Sequence, residues 1–343
     1  MPLISNKRAF LARCLRATGA LALLERMARR PGLLVLTYHR IGDPSAHPFY
    51  DRVASATPEA FREELAALAR ARRVVALDEA VALAENGFAT SEPLALVTFD
   101  DGYRDNAEAA LPVLSSLGLP AAFFLTTDFV GGLRLPWWDH VAYVVNTTTV
   151  PVLRLDWPEP LEVDLTRVPR AEAVMRVVTM YLNRDVADEP RFRAGLEAAT
   201  EAGVDERRLA RDLFMTWDQA RSLVAAGMSV GSHTVSHRPL GRLSADEQRA
   251  ELVDSKRLIE SEVGREAFAL AYPYGWPGAY DDATARLARA AGYRAAFSSV
   301  EGVNRPGARD PFAAGRLGVG FADAPVLHRA RWALYGAFGR SAL

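Results

Sequence analysis

The chain of 343 residues has a single cysteine, Cys14, which excludes an internal disulfide framework and any cysteine-rich metal cluster. Its formal net charge of −1 lacks the basic excess that polyanion binding draws on, so no nucleic-acid partner is expected. With 50% hydrophobic and 24% charged residues, the composition is not that of a disordered chain. Long apolar runs are missing as well. The run Ala20 to Leu24 is broken by Glu25 and Arg26, is too short to span a bilayer, and precedes no small-residue cleavage site. No repeat or low-complexity linker divides the chain. These absences leave a globular, soluble protein, with the cytoplasm as its expected compartment.

The informative stretch is LALVTFDDGYRDN, Leu94 to Asn106. Leu94 to Phe99 have the composition of a buried strand, which stops at Asp100 and Asp101 before Gly102. Adjacent strand residues point to opposite faces, so both carboxylates reach one site only if the strand ends there. Two acids at a buried strand end are costly to fold unless a cation or hydrogen bonds compensate them. Asp105, just beyond, is expected to cap the following helix.

Around this stretch strands and helices alternate, which predicts a parallel α/β sheet or barrel. LLVLTYHRIG (Leu33 to Gly42) reads as a strand ending at Tyr38 and His39. Thr57 and Pro58 start one helix, Asp78 caps another, and AAFFLTT (Ala121 to Thr127) is a further strand. The rhythm breaks over residues 131–213, expected as a mainly helical insertion near the site that opens with Trp137, Trp138 and Asp139. It resumes with a helix from Thr216, the strand MSVGS, and a long helix boxed by Ser244 and Glu247. A last strand is expected near Arg316 to Gly320. The flanking segments 1–32 and 323–343 are basic and amphipathic. They are expected to pack on the domain, with peripheral membrane contact as the alternative.

HTVSH follows the strand MSVGS directly, and its H-x3-H spacing brings His233 and His237 to one cation. In a chain with six histidines, this pair near a strand-end acidic turn points to a divalent metal site, zinc by default. Two histidines and one aspartate leave a coordination position open, as in catalytic sites. The second aspartate remains available to take a proton.

TFDDG, H-T-x-x-S-H and Y-P-Y-G, in that order and at strand ends, resemble the polysaccharide deacetylases of the NodB-homology class, carbohydrate esterase family 4. The resemblance spans about residues 33–322, the insertion excepted. It implies a distorted (β/α)7-type barrel and metal-dependent removal of acetyl groups from an acetylated glycan. By the same resemblance Asp100 is the general base, and Asp101, His233 and His237 are the metal ligands. Ser236 supports the histidine loop, and the Tyr274 backbone N–H contributes to the oxyanion hole. His39 resembles the Tyr-His motif of the exopolysaccharide-deacetylase branch, where it supplies the acid that protonates the leaving amine.

Two departures from the family pattern stand out. Ala271 occupies the position of the arginine that normally orients the base; Arg316 is the candidate replacement, ahead of Asp139 and Arg238. No late leucine–histidine motif is present, since His328 lies in the basic tail. Trp138, Asp139 and Tyr274 are the candidate glycan contacts, with core burial the alternative for the tryptophans. An O-acetyl esterase would share all this machinery. A catalytically inactive glycan-binding protein on the same fold is the rival from another class. A phosphatase of the Asp-x-Asp type fails because Gly102 stands where its second acid is needed.

Overall fold

Residues 10, 13–15, 17–184, 188–307, 310–321 and 325–338 are described in the structure, a computed structural model. Among them the strands are β1 (Gly32–Tyr38), β2 (Arg40–Ile41), β3 (Ala54–Ala56), β4 (Arg73–Val74), β5 (Pro93–Phe99), β6 (Ala122–Leu125), β7 (Val152–Leu155), β8 (Leu161–Asp164), β9 (Ser229–Ser232), β10 (Ala269–Ala271), β11 (Ala295–Phe297), β12 (Val303–Asn304) and β13 (Leu317–Gly318).

The main sheet runs β11-β10-β9-β6-β5-β1-β12, with β4 added to β5 and β13 to β1. Every pairing in it is parallel except β1 with β12. The sheet curls, and one short stretch spans its two edges. Ala314 bridges to Phe297 of β11, and β13, three residues on, pairs with β1. Counting that stretch as one strand gives seven parallel staves, the distorted (β/α)7-type barrel expected from the sequence.

Alternation along the strands divides the core. Leu33 and Val35 of β1, Leu94 and Leu96 of β5, and Phe124 of β6 form one cluster with Phe297, closed by Leu77, Val81 and Phe88 from the helix Leu77–Glu85 and the turn after it. Leu34, Leu36, Val97, Phe99 and Phe123 point the other way, onto Phe61, Leu65 and Leu68 of the helix Pro58–Ala71. Thr57 caps that helix through its hydroxyl with Pro58 at the first position, and the Ser244–Glu247 capping box is also formed. The helix expected to be capped by Asp78 instead starts two residues earlier, with Ala76 at its N-cap and Asp78 in its first turn.

The insertion contains the helices Trp137–Thr147, Arg170–Asn183, Glu189–Thr200 and Glu206–Leu213 and the antiparallel hairpin β7–β8. It has its own hydrophobic core, and Phe129, Tyr103 and Phe214 join that core to the barrel.

Parts of the terminal segments 1–32 and 323–343 lie outside the described residues. Within them, the helix Ala20–Met27 packs against the helix Pro325–Phe338, and Arg329 donates two hydrogen bonds to Glu25, at 2.8 and 3.1 Å. His328 is on this outer helix, its Nε2 3.3 Å from the Gly320 carbonyl, and it is not among the residues that line the cavity of Asp100 and Arg316. Among the described residues, no helix is long and apolar enough to cross a membrane.

Candidate active site

The face of β1 that carries Leu33, Val35 and Thr37 continues to His39; the matching face of β5 continues through Thr98 to Asp100. Because Tyr38 is in register with Phe99, His39 and Asp100 emerge side by side, and the Asp100 N–H donates to the Tyr38 carbonyl at 3.0 Å. The strand stops there. Asp101 has φ 73° and Gly102 φ 87°, and a Cβ on Gly102 would meet Val130 Cγ2 at 2.7 Å. This left-handed turn swings the Asp101 carboxylate to the same mouth as Asp100, which two extended neighbours would not share.

Arg316 reaches Asp100 through both guanidinium nitrogens, at 2.8 Å each, while its Nε donates to the Ser298 carbonyl at 3.1 Å. Both side chains are buried, Arg316 at 2% and Asp100 at 3% exposure. Burial alone would raise the Asp100 carboxyl. The charges of Arg316 and His233 and the Arg316 hydrogen bonds outweigh it and hold the group at about 2. The alternative partners lie elsewhere: Arg238 pairs with Glu247 and Glu251, and Asp139 faces Tyr50 and Tyr103.

His233 and His237 sit on the loop after β9. His237 Nε2 is 3.3 Å and His233 Nε2 3.6 Å from Asp101 Oδ1. His233 Nδ1 lies 2.7 Å from the Ala271 carbonyl and donates to it, which turns the lone pair of Nε2 toward the carboxylates. Burial lowers both imidazoles, His233 to about 4 and His237 well below the usual range, so both are neutral. Burial and the neighbouring Asp100 charge push Asp101 well up. Asp101 Oδ1 is buried without a hydrogen-bond partner, and one ligand atom from each of the three residues lies within 4.8 Å of the others. Two imidazole nitrogens and one carboxylate oxygen thus face one another in a buried cluster. That donor set fits a divalent cation, with two nitrogens and one oxygen.

The histidine loop is held by a residue that the sequence did not single out. Glu251, on the helix Ala245–Val263, accepts from the backbone N–H groups of Val235 and Ser236 at 2.8 and 2.9 Å, and from the Ser236 hydroxyl. Ser255, one turn on, bonds Ser232 at 2.8 Å. Thr234 and His237 have φ 67° and 59°, so this clamp holds a backbone that non-glycine residues seldom adopt.

Tyr274 also has a left-handed backbone, φ 61°, beside Pro273 and Gly275. Its hydroxyl accepts a hydrogen bond from Trp137 Nε1 at 2.9 Å, and its ring meets that of His237 edge-on at 4.9 Å. Trp138 packs edge-on against His237 at 5.0 Å and donates from Nε1 to the Tyr103 hydroxyl at 3.1 Å. His39, Asp100, His237, Trp138, Tyr274 and Arg316 all line one cavity of about 300 Å3. A second cavity of about 760 Å3 adjoins it across Trp137 and Tyr274.

Two expectations are corrected. Asp139, a candidate glycan contact, is fully buried and does not line the cavity; its oxygens accept from the Tyr50 N–H at 2.9 Å and the Tyr103 hydroxyl at 3.1 Å. Asp105 caps no helix. It accepts from the Ile41 N–H at 3.1 Å and Arg40 Nε at 3.3 Å, tying down the loop after His39.

A family model described as polysaccharide deacetylase matches residues 88–147 and 176–296, more than half of the chain, and its gap falls inside the insertion. The Bacillus subtilis (strain 168) protein YxkH is 21% identical over 212 residues. That match covers 62% of this chain and 47% of YxkH, so the chain spans about half the length of this curated relative. The fold is similar to the solved structure of IcaB from Ammonifex degensii, with TM-score 0.57 and 22% identity over 89% of this chain and 98% of that one. It is also similar to the Streptococcus pyogenes deacetylase PplD, solved with acetate, with TM-score 0.55 and 18% identity over 86% and 96%.

Proposed function

The chain belongs to the polysaccharide deacetylase family, and from that premise we propose a metal-dependent hydrolase that removes N-acetyl groups from an acetylated polysaccharide or glycolipid precursor. The observation that carries this reading is the contrast between two adjacent carboxylates. Asp100 is clamped by an arginine, whereas Asp101 offers an unpartnered oxygen beside two neutral imidazoles.

Asp101, His233 and His237 would hold the cation, zinc by the donor set. A cation there would polarise the acetyl carbonyl and make water acidic enough to yield its proton to a carboxylate as weakly basic as Asp100. Asp100 accepts that proton on the oxygen turned to the cavity while Arg316 fixes the plane of the carboxylate. The Tyr274 backbone N–H donates to the oxyanion that forms as water adds to the carbonyl carbon. Burial lowers His39, so it rests neutral; the adjacent Asp100 charge acts in the opposite direction. The proton it gives to the departing nitrogen therefore arrives during turnover, from its neighbour Asp100. The C–N bond breaks, and acetate and the free amine leave. Trp138 and Tyr274 serve as the walls against which the sugar ring rests.

The test is acetate release from a panel of N- and O-acetylated oligosaccharides by zinc-loaded protein. Wild type is expected to release acetate from N-acetylated members. Asp100→Asn and His39→Ala are expected to be silent with bound metal near stoichiometric. Chelation should abolish release and lower the melting temperature, with zinc restoring both. Silence of the metal-loaded wild type across the panel would overturn the reading, and release from O-acetyl esters alone would make the protein an esterase.

A further inference from the structure

The near-zero net charge conceals a strong separation of charge along the chain. Residues 1–30 contain seven Lys and Arg against one acid, Glu25, and residues 325–343 contain three Arg and no acid. With the total at −1, the rest of the chain is therefore net negative. Among the described residues, the fold brings the two segments together through the helix Ala20–Met27, which packs on the helix Pro325–Phe338. The single acid is already occupied: Glu25 accepts two hydrogen bonds from Arg329.

The arginines of the second helix are paired, Arg329 with Glu25 and Arg331 with Glu301, so what faces outward comes from the first helix and is apolar as well as basic. The helix Ala20–Met27 fully buries only Leu21. Leu23 is 61% exposed, and Arg26, three residues on and hence on the same face, is exposed beside it. Arg29 and Arg30 follow, both exposed, and Phe10, upstream, is 67% exposed. Exposed apolar side chains flanked by arginines suit a surface with anionic headgroups over hydrocarbon. A nucleic acid would satisfy the arginines but offers Leu23 and Phe10 no apolar phase to enter.

We propose that the paired terminal helices dock this protein on an anionic phospholipid bilayer through Arg26, Arg29, Arg30 and the exposed side chain of Leu23. The acidic remainder of the molecule is repelled by the same surface, so the charge separation also orients the molecule. This docking is independent of the catalytic reading, since none of these residues lies in the active-site cavity.

The experiment is co-sedimentation of the full chain with phosphatidylcholine vesicles, with and without one-third phosphatidylglycerol, at low and high salt. Binding is expected only to the anionic vesicles and is expected to weaken as salt rises. The triple variant Arg26→Glu/Arg29→Glu/Arg30→Glu should lose affinity at least about a hundredfold. Leu23→Ser should lose several-fold yet keep the salt dependence. If the triple variant does not fold, Leu23→Ser and the salt series still decide the matter. Equal binding to the two vesicle types, no binding to either, or tighter binding to a labelled DNA duplex than to anionic vesicles would each overturn the proposal.

Discussion

Asp100 and Asp101 are sequence neighbours, almost equally buried, yet their environments drive them in opposite directions. Burial raises both; Arg316 and His233 return Asp100 to about 2, while the resulting negative charge raises Asp101 further. Arg316, with His233, thus keeps Asp100 ionised at rest and leaves Asp101 as a carboxylate that a cation would stabilise. Arg316→Lys retains the charge but loses the two-pronged grip, because an ammonium cannot meet both oxygens in one plane. Its kcat should fall by about two orders of magnitude while metal content and KM stay near those of wild type. Loss of metal in parallel would show that Arg316 acts on the cation site instead. Asp100, Asp101 and the histidine pair were legible because strand-end acids and H-x3-H are local patterns. Arg316 was legible from its strand-end position. Glu251 was not, since a glutamate on a charged helix reads as solvent-facing until the loop above it is seen. Asp139 was misread because two preceding tryptophans suggest an open sugar platform, whereas Tyr103, far away in sequence, takes its oxygen.

The insertion acts on the chemistry as an element. Its first helix supplies Trp137, whose indole stacks on Tyr181 at 4.0 Å and donates to the Tyr274 hydroxyl. Tyr274 is held in a left-handed conformation that costs about 1–2 kcal/mol in a non-glycine residue. A hydrogen bond from a second structural unit helps keep that residue, and hence its amide, in one orientation. Trp137→Phe preserves the stacking and removes the donor. Its kcat should fall about tenfold with KM changed little, and Tyr274→Phe should match it. The double variant should be no worse than either single one, as expected when both changes break the same bond. Unaltered kcat in Trp137→Phe, or additive losses, would discard this role. Helix starts at Thr57 and Ser244 were legible because capping is decided within four residues. The existence of the insertion was legible from its broken rhythm. Its link to Tyr274 joins residues 137 positions apart, a contact that no local pattern announces.

At the scale of the molecule, the barrel is closed late, by the stretch from Ala314 to Gly318, and the insertion folds around a core of its own. Barrel closure was expected from the family resemblance, but its register was not, because β11 and β13 contain only three and two residues. The insertion core contains a buried histidine whose titration couples its stability to pH. His140 is 1% exposed, its Nε2 is 2.7 Å from Glu197, and its Nδ1 has no partner. Burial, and then the Arg193 charge, lower its pKa; the hydrogen bond to Glu197 opposes them. A histidine lowered in the folded state lets the unfolded chain bind the proton first. Stability is therefore lost as pH falls below about 6.5, with a limiting slope of about 1.4 kcal/mol per pH unit for one proton. Asp105 and Asp139, each raised to about 6 chiefly by burial, act with the opposite sign: the folded state protonates them first, and stability is gained as pH falls from about 6 toward their unfolded values. The His140 contribution is thus read as a difference. His140→Gln can still donate to Glu197 but takes up no proton. Its melting temperature should fall less than that of wild type between pH 7.5 and 5.5, and identical slopes would remove His140 from the account. Because Trp137 and Trp138 lie on the same helix as His140 and line the cavity, wild-type activity should fall along with the stability of the insertion.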